Sequence, residues 1–144
     1  MRKDPKSNNV ERGRLMEETK STISSFYDYL GFVGDETSET GFELELPLNP
    51  FLLQDDGTVH PGVFATMLDI MMGATISRQT DSFATTINLN LSYFDLEPKS
   101  NYTAETVILH RDGKYVTADG VIYDQNKKRI AKATGSFKLN PKNY

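Results

Sequence analysis

The fold of this chain is decided by residues 61–78, PGVFATMLDIMMGATISR. Apolar side chains surround almost the whole circumference of the helix that this stretch would form. A helix that is apolar on all sides is normally buried, and this one is too short and too interrupted to span a bilayer. Pro61 suits the first helical position, where a missing N–H costs nothing. The stretch therefore predicts a buried central helix.

Four strand-like runs follow this helix. Residues 87–93 alternate apolar and polar side chains, as in a half-buried strand. Asp112-Gly113 separates two further runs and is a strong hairpin signal. A turn at residues 125–128 leads to the last run, residues 130–139. Gly120 lies inside the third run, where we expect it to mark a bulge.

Two more elements precede the helix. Residues 42–48 alternate like a strand, and residues 15–30 have loosely helical spacing that Gly31 should end. This order predicts an α+β fold in which an antiparallel sheet curls around the buried helix. We expect residues 1–12 to form a flexible N-terminus and residues 13–144 to form a single domain.

The amino-acid composition excludes or disfavours several classes of function. The 144 residues include no cysteine and only two histidines, so thiol chemistry is excluded and no metal site is expected. The formal net charge of −4 disfavours nucleic acid and anionic membranes as partners. No apolar run follows the first residues, so we expect no secretory signal and a cytoplasmic location.

Asp69 is the one charged residue in the centre of the apolar helix. Burying a carboxylate is costly unless it is paired, and buried carboxylates often serve as bases at active sites. A structural Asp that bonds a nearby hydroxyl fits the sequence equally well. Thr86, at the beginning of the next strand, offers such a hydroxyl, although an exposed strand Thr is the commoner case. Small residues on the same helical face, such as Gly73, leave room either for a ligand or for close packing.

The helix entry contains His60, Pro61, Gly62 and Val63. The first N–H groups of a helix are unsatisfied and carry partial positive charge, so they can polarise a carbonyl oxygen as an oxyanion hole does. Pro61 lacks this N–H, whereas Gly62 and Val63 keep theirs. From these residues alone a plain helix start is the simpler interpretation, with His60 as a capping residue.

Several segments resemble one family. Residues 58–69, TVHPGVFATMLD, resemble the helix-start motif of hotdog-fold acyl-CoA thioesterases of the phenylacetate-pathway type, which are 4-hydroxybenzoyl-CoA thioesterase-like proteins. Residues 88–93, NLNLSY, resemble the strand that follows in that family. Residues 112–114 and 130–137 also fit. The resemblance covers residues 40–139.

The resemblance implies a hotdog fold, in which a five-stranded antiparallel sheet wraps the central helix; the helical spacing of residues 15–30 adds an N-terminal helix. It also implies homodimers, with pairing into homotetramers left open, and a coenzyme A thioester as substrate without a further cofactor. Asp69 would activate water or attack the thioester, and Thr86 would assist it. Gln54 would polarise the carbonyl, and His60 takes the place of the family's His.

One position departs from the family pattern. The family's principal oxyanion donor is an N–H at the position of Pro61, which has none. Either Gly62 or Val63 replaces it, or the protein binds acyl-CoA without hydrolysing it. Gly62 and Asp69 are also separated by about 10 Å along one helix, at 1.5 Å per residue. A site shared across a dimer, with Asp69 from one chain and the helix start from the other, removes this difficulty.

The leading hypothesis is an acyl-CoA thioesterase that hydrolyses a small aryl- or alkyl-CoA thioester. The alternative is a non-catalytic acyl-CoA-binding module, favoured by Pro61. An enoyl-CoA hydratase ranks third, because the sequence places no His beside Asp69.

Overall fold

The computed structural model describes residues 26–35 and 42–142. The chain divides into two compact units, Met1–Gly31 and Phe32–Tyr144. In the first unit, helix α1 (Phe26–Leu30) ends where Gly31 adopts a φ of +90° and donates its N–H to the Asp28 carbonyl. The predicted stop at Gly31 is confirmed. Residues 1–12 and the beginning of the expected N-terminal helix lie outside the described residues, so the domain boundaries stay a prediction.

The second unit contains one long helix and one sheet. Its elements are β1 (Val33–Asp35), β2 (Glu43–Pro47), a 3-10 turn (Pro50–Leu52), α2 (Pro61–Thr80), β3 (Ser82–Tyr93), β4 (Asn101–Asp112), β5 (Tyr115–Asp124) and β6 (Arg129–Pro141). The strands are antiparallel, in the order β1-β2-β4-β5-β6-β3.

The predicted α+β class, with a long helix packed on an antiparallel sheet, is confirmed. The described residues contain six strands, however, so the prediction of five was wrong by one. The additional strand is β1, which pairs with β2 and has three exposed residues. A strand so short and exposed shows no alternating apolar pattern that a sequence could reveal.

Helix α2 buries its core-facing side against the sheet. Phe64, at the beginning of the helix, is fully buried and meets the ring of Tyr102 edge-on, with ring centroids 5.0 Å apart. Tyr102 also accepts a hydrogen bond from the Lys99 N–H at 2.9 Å, which satisfies its buried hydroxyl. Within the described ranges, no helix combines the length and apolar character needed to cross a bilayer.

The opposite side of α2 remains partly open. Thr66, Asp69, Ile70 and Gly73 are half-buried, whereas Leu68 and its core-facing neighbours are covered. In a single copy of the chain, the expectation that the helix is buried on all sides was therefore wrong, because the sheet covers only one side of the helix. An apolar helix with one open stripe has surface that a second molecule can cover.

Gly120 permits the close approach of α2 to β5. A Cβ at this position would lie 3.0 Å from Cδ2 of Leu68 and 3.0 Å from Sδ of Met72. The predicted bulge at Gly120 was wrong, since the irregularities between β4 and β5 and between β5 and β6 fall elsewhere. The glycine is needed there because side chains of α2 occupy the space that a side chain on residue 120 would fill.

Gly120→Val should lower the free energy of unfolding by about 1–3 kcal/mol, because the added methyl groups overpack this contact. Chemical denaturation followed by circular dichroism measures the change. Thr117→Val, on the other face of the same strand, is the control and should change stability by less than about 0.5 kcal/mol. Equal stability of the two variants would contradict this account of the helix–sheet contact.

Candidate active site

A tight turn brings β3 back along α2. Asp81 follows the helix with a φ of 48°, in the left-handed region that Asp tolerates better than most residues, and its N–H donates to the Ser77 carbonyl. The Ser77 hydroxyl donates to the carbonyl of Ser82, the first residue of β3. The helix end and the strand start are therefore fixed to each other, and the strand passes beside the open stripe.

The turn allows Thr86 to meet Asp69. The Thr86 hydroxyl donates to Oδ1 of Asp69 at 2.6 Å, across 17 residues of sequence. A short bond from a hydroxyl to a carboxylate is of the stronger, charge-assisted kind. In the described part of the chain no other hydrogen bond to Asp69 is present. One carboxylate oxygen is thus held by Thr86, and the other has no hydrogen-bond partner among the described residues.

His60 caps the beginning of α2. Its Nδ1 accepts the Gly62 N–H at 2.9 Å, and its backbone carbonyl accepts the Val63 N–H at 3.0 Å. A Cβ on Gly62 would lie 2.9 Å from this Nδ1, so the absence of a side chain on residue 62 leaves room for the ring. Both backbone donors that the sequence suggested for an oxyanion hole therefore already have acceptors within the chain.

The cap also determines the tautomer of His60. A neutral imidazole has one donor nitrogen and one acceptor nitrogen, and Nδ1 is the acceptor here. The proton of the neutral ring therefore resides on Nε2. His60 is an exposed residue, so the ring supplies an N–H donor at a helix entry where Pro61 supplies none.

Gln54 lies in the turn before the helix. Its side-chain amide donates to the Thr58 hydroxyl at 3.0 Å, and its backbone N–H donates to the Thr58 carbonyl at 2.7 Å. The Thr58 hydroxyl in turn donates to Asp56 and lowers the pKa of that carboxyl. Gln54 is thus held within its own turn and makes no hydrogen bond to the pair formed by Asp69 and Thr86.

The loop after β3 supports the helix entry, which sequence reasoning missed. The Leu96 carbonyl accepts the Val59 N–H at 2.8 Å, just before the helix. Asp95 stabilises this loop, since the Glu97 N–H and the Lys99 ammonium hold the pKa of its carboxyl at about 2. The available signal was Asp95 itself, because an Asp side chain commonly accepts the backbone N–H two residues further on, as in an Asx turn.

The described residues contain no group of three His, Asp or Glu side chains placed to hold a metal ion. Asp69, Thr86 and His60 offer a carboxylate, a hydroxyl and an imidazole N–H.

A single long helix wrapped by an antiparallel sheet, with a carboxylate on its open stripe, defines a hotdog-fold protein. A sequence profile of the thioesterase superfamily matches residues 56–131, which is more than half of the chain. The chain belongs to this superfamily, and the resemblance recognised in its sequence is confirmed. No curated protein matches the chain.

Solved structures share the fold. The BH2602 protein of Bacillus halodurans, crystallised with CoA, superposes with a TM-score of 0.74 at 24% identity, over 98% of this chain and 97% of that one. A putative esterase of Mycobacterium tuberculosis, Rv1847/MT1895, gives a TM-score of 0.75 at 20% identity, over 83% and 98%. The PaaI protein of E. coli, from the phenylacetic acid degradation operon, gives 0.71 at 15% identity, over 91% and 92%.

Replacing His60 should show its role as a cap. His60→Ala removes the acceptor for the Gly62 N–H and should lower the free energy of unfolding by about 1 kcal/mol. His60→Asn is the matched control, because an Asn side chain also caps helices well, and should stay near the wild type. Thermal unfolding measures both; a loss of the same size in the two variants would contradict capping by the side chain.

Proposed function

We propose that this protein hydrolyses a small aryl- or alkyl-CoA thioester, with Asp69 as general base or nucleophile. The observation that carries the proposal is the hydrogen bond from Thr86 to Asp69 on the open stripe of α2. Membership of the thioesterase superfamily supports the reaction class. The CoA bound to the BH2602 protein supports a CoA thioester as the substrate.

Both routes begin at the carboxylate. As a base, Asp69 takes a proton from water while the water oxygen attacks the thioester carbonyl carbon; the C–S bond then breaks, and the CoA thiolate leaves and is protonated. As a nucleophile, Asp69 attacks the same carbon, expels the thiolate and forms an anhydride that water hydrolyses. In either route Thr86 orients the carboxylate by bonding one of its oxygens.

The oxyanion donor is the unusual part of the proposed site. Pro61 has no N–H, and the N–H groups of Gly62 and Val63 are already bonded to His60. We infer that Nε2–H of His60 donates to the thioester oxygen, since the cap fixes the proton on that nitrogen. Gln54 stays a proposed substrate contact, which requires its amide to turn from Thr58.

A second copy of the chain would complete the site. Strand β3 is at the end of the strand order, so it forms one of the two unpaired edges of the described sheet. Its side chains include Phe83 and Ile87, which are 58% and 55% exposed, and proteins rarely leave such a long apolar edge open. We propose that two copies pair along β3 about a two-fold axis.

In this dimer each site takes Asp69 and Thr86 from one subunit and His60 from the other. The arrangement avoids the separation of about 10 Å between Gly62 and Asp69 along one helix. Pairing of dimers into tetramers and a cytoplasmic location stay predictions.

A second candidate function is binding of acyl-CoA without hydrolysis. The observation that favours it is the absence of a free backbone N–H at the start of α2, since Pro61 has none and the next two are bonded. Loss of one oxyanion donor lowers turnover by about two to three orders of magnitude. Stoichiometric acyl-CoA binding with no thiol release from any substrate would establish this alternative.

Asp69→Asn should lower kcat by about two to four orders of magnitude, because the amide can neither accept the proton nor attack the carbonyl. Thiol release from a panel of aryl- and alkyl-CoA thioesters measures the loss and identifies the acyl group. Asp81→Asn, the same change outside the proposed site, is the control and should leave turnover unchanged. Wild-type turnover in the Asp69 variant would refute the proposed mechanism.

The His60 variants separate the possible oxyanion donors. If Nε2–H is the donor, His60→Ala lowers kcat by about two to three orders of magnitude. His60→Asn retains part of the activity, because its amide N–H can donate. If the Gly62 N–H is the donor instead, His60→Ala releases that group and keeps or raises kcat, which would overturn the inference.

A further inference from the structure

Strand β3 contains an irregularity directly beside Thr86. Thr86 lies opposite Phe137 of β6, whereas Asn88 lies opposite Ser136, so two steps on β3 match one step on β6. Ile87 is the extra residue of this β-bulge. The bulge is therefore one residue from the hydroxyl that contacts Asp69.

The bulge determines which side chains face the helix. Thr86 faces α2, because its hydroxyl reaches Asp69. Leu89 also faces α2, since its Cδ2 lies 2.8 Å from where a Cβ on Gly135 would be, beside Cε of Met72. In a regular strand, residues three apart point to opposite faces. Only the extra residue lets Thr86 and Leu89 share one face.

Asn88 stabilises the bulge through its side chain. Its Oδ1 accepts the backbone N–H of Ser136 at 3.1 Å. A bulge disrupts the regular ladder between strands, and this amide supplies an acceptor at the point of disruption. Ile87 itself is 55% exposed, so burial of its side chain does little to hold the bulge within this chain.

We propose that Asn88 is a positioning residue, which holds the bulge so that the Thr86 hydroxyl points at Asp69. The role rests on the proposed thioester hydrolysis. Without the bond to Ser136, β3 can shift toward regular pairing, and a shift of one residue moves side chains to the other face of the sheet. Thr86 would then lose its contact with Asp69 while the rest of the sheet stays paired.

The test measures the kinetics of Asn88 variants in the wild-type chain and in a Thr86→Ala background. Asn88→Ala should lower kcat for acyl-CoA by about 10- to 100-fold, as small misplacements of catalytic groups do, with KM unchanged. Asn88→Asp keeps the acceptor oxygen and should restore kcat. In a Thr86→Ala background, Asn88→Ala should cause no further loss, because the group that it positions is absent.

Asn90→Ala is the matched control. Asn90 is an exposed amide on the same strand, paired with Thr134 in register and without a side-chain hydrogen bond among the described contacts. This variant should keep wild-type kcat. Equal kcat in Asn88→Ala and the wild type, or losses from Asn88→Ala and Thr86→Ala that multiply, would overturn the proposal.

A structural measurement separates this proposal from the proposed function. By amide hydrogen exchange, Asn88→Ala should weaken protection at Ser136, and by NMR it should remove the proximity of the Thr86 methyl group to the Asp69 side chain. Both changes are expected even if the wild type releases no thiol. A lack of thiol release would refute only the proposed thioester hydrolysis. Unchanged exchange at Ser136 and an unchanged Thr86 environment would refute the positioning role.

Discussion

The hydrogen bond between the Thr86 hydroxyl and the Asp69 carboxylate joins the helix to the edge strand at 2.6 Å, and the proposed chemistry depends on it. The helix holds Asp69 in place because the neighbouring Leu68 is anchored in the core against Gly120. The strand presents Thr86 because a bulge precedes Asn88. A carboxylate oriented by one strong bond loses little freedom when it reacts, which is what preorganisation of a catalytic group requires.

The helix entry imposes the second constraint. His60 satisfies the backbone donors that follow Pro61, so it stabilises α2 and at the same time occupies the N–H groups that could otherwise serve as oxyanion donors. The same bond leaves Nε2–H as the remaining donor of the neutral ring. In the proposed dimer, a second copy pairs along the edge of β3 and brings this imidazole toward Asp69 on the half-open stripe of α2.

The central helix and the hairpin between β4 and β5 were predictable, because a mostly apolar 18-residue run and the turn dipeptide Asp112-Gly113 are local signals. Strand β1 was not predictable, since its three exposed residues show no alternation of apolar and polar side chains. The bulge at Ile87 was equally invisible, because the apolar–polar alternation of residues 87–93 includes Ile87 itself and shows no break there. The Gly62 N–H is bonded only because His60 adopts a rotamer that places Nδ1 beside it. The order of residues does not reveal that rotamer.

Mixing two inactive variants tests the central claim most directly. Asp69→Asn and His60→Ala protomers, unfolded together and refolded at equal concentrations, form mixed dimers that contain one intact site each. About half of the dimers are mixed, and each mixed dimer has one intact site out of two. Thiol release should therefore recover to about a quarter of the wild-type rate. A mixture as inactive as either variant alone would contradict a site built from Asp69 of one subunit and His60 of the other.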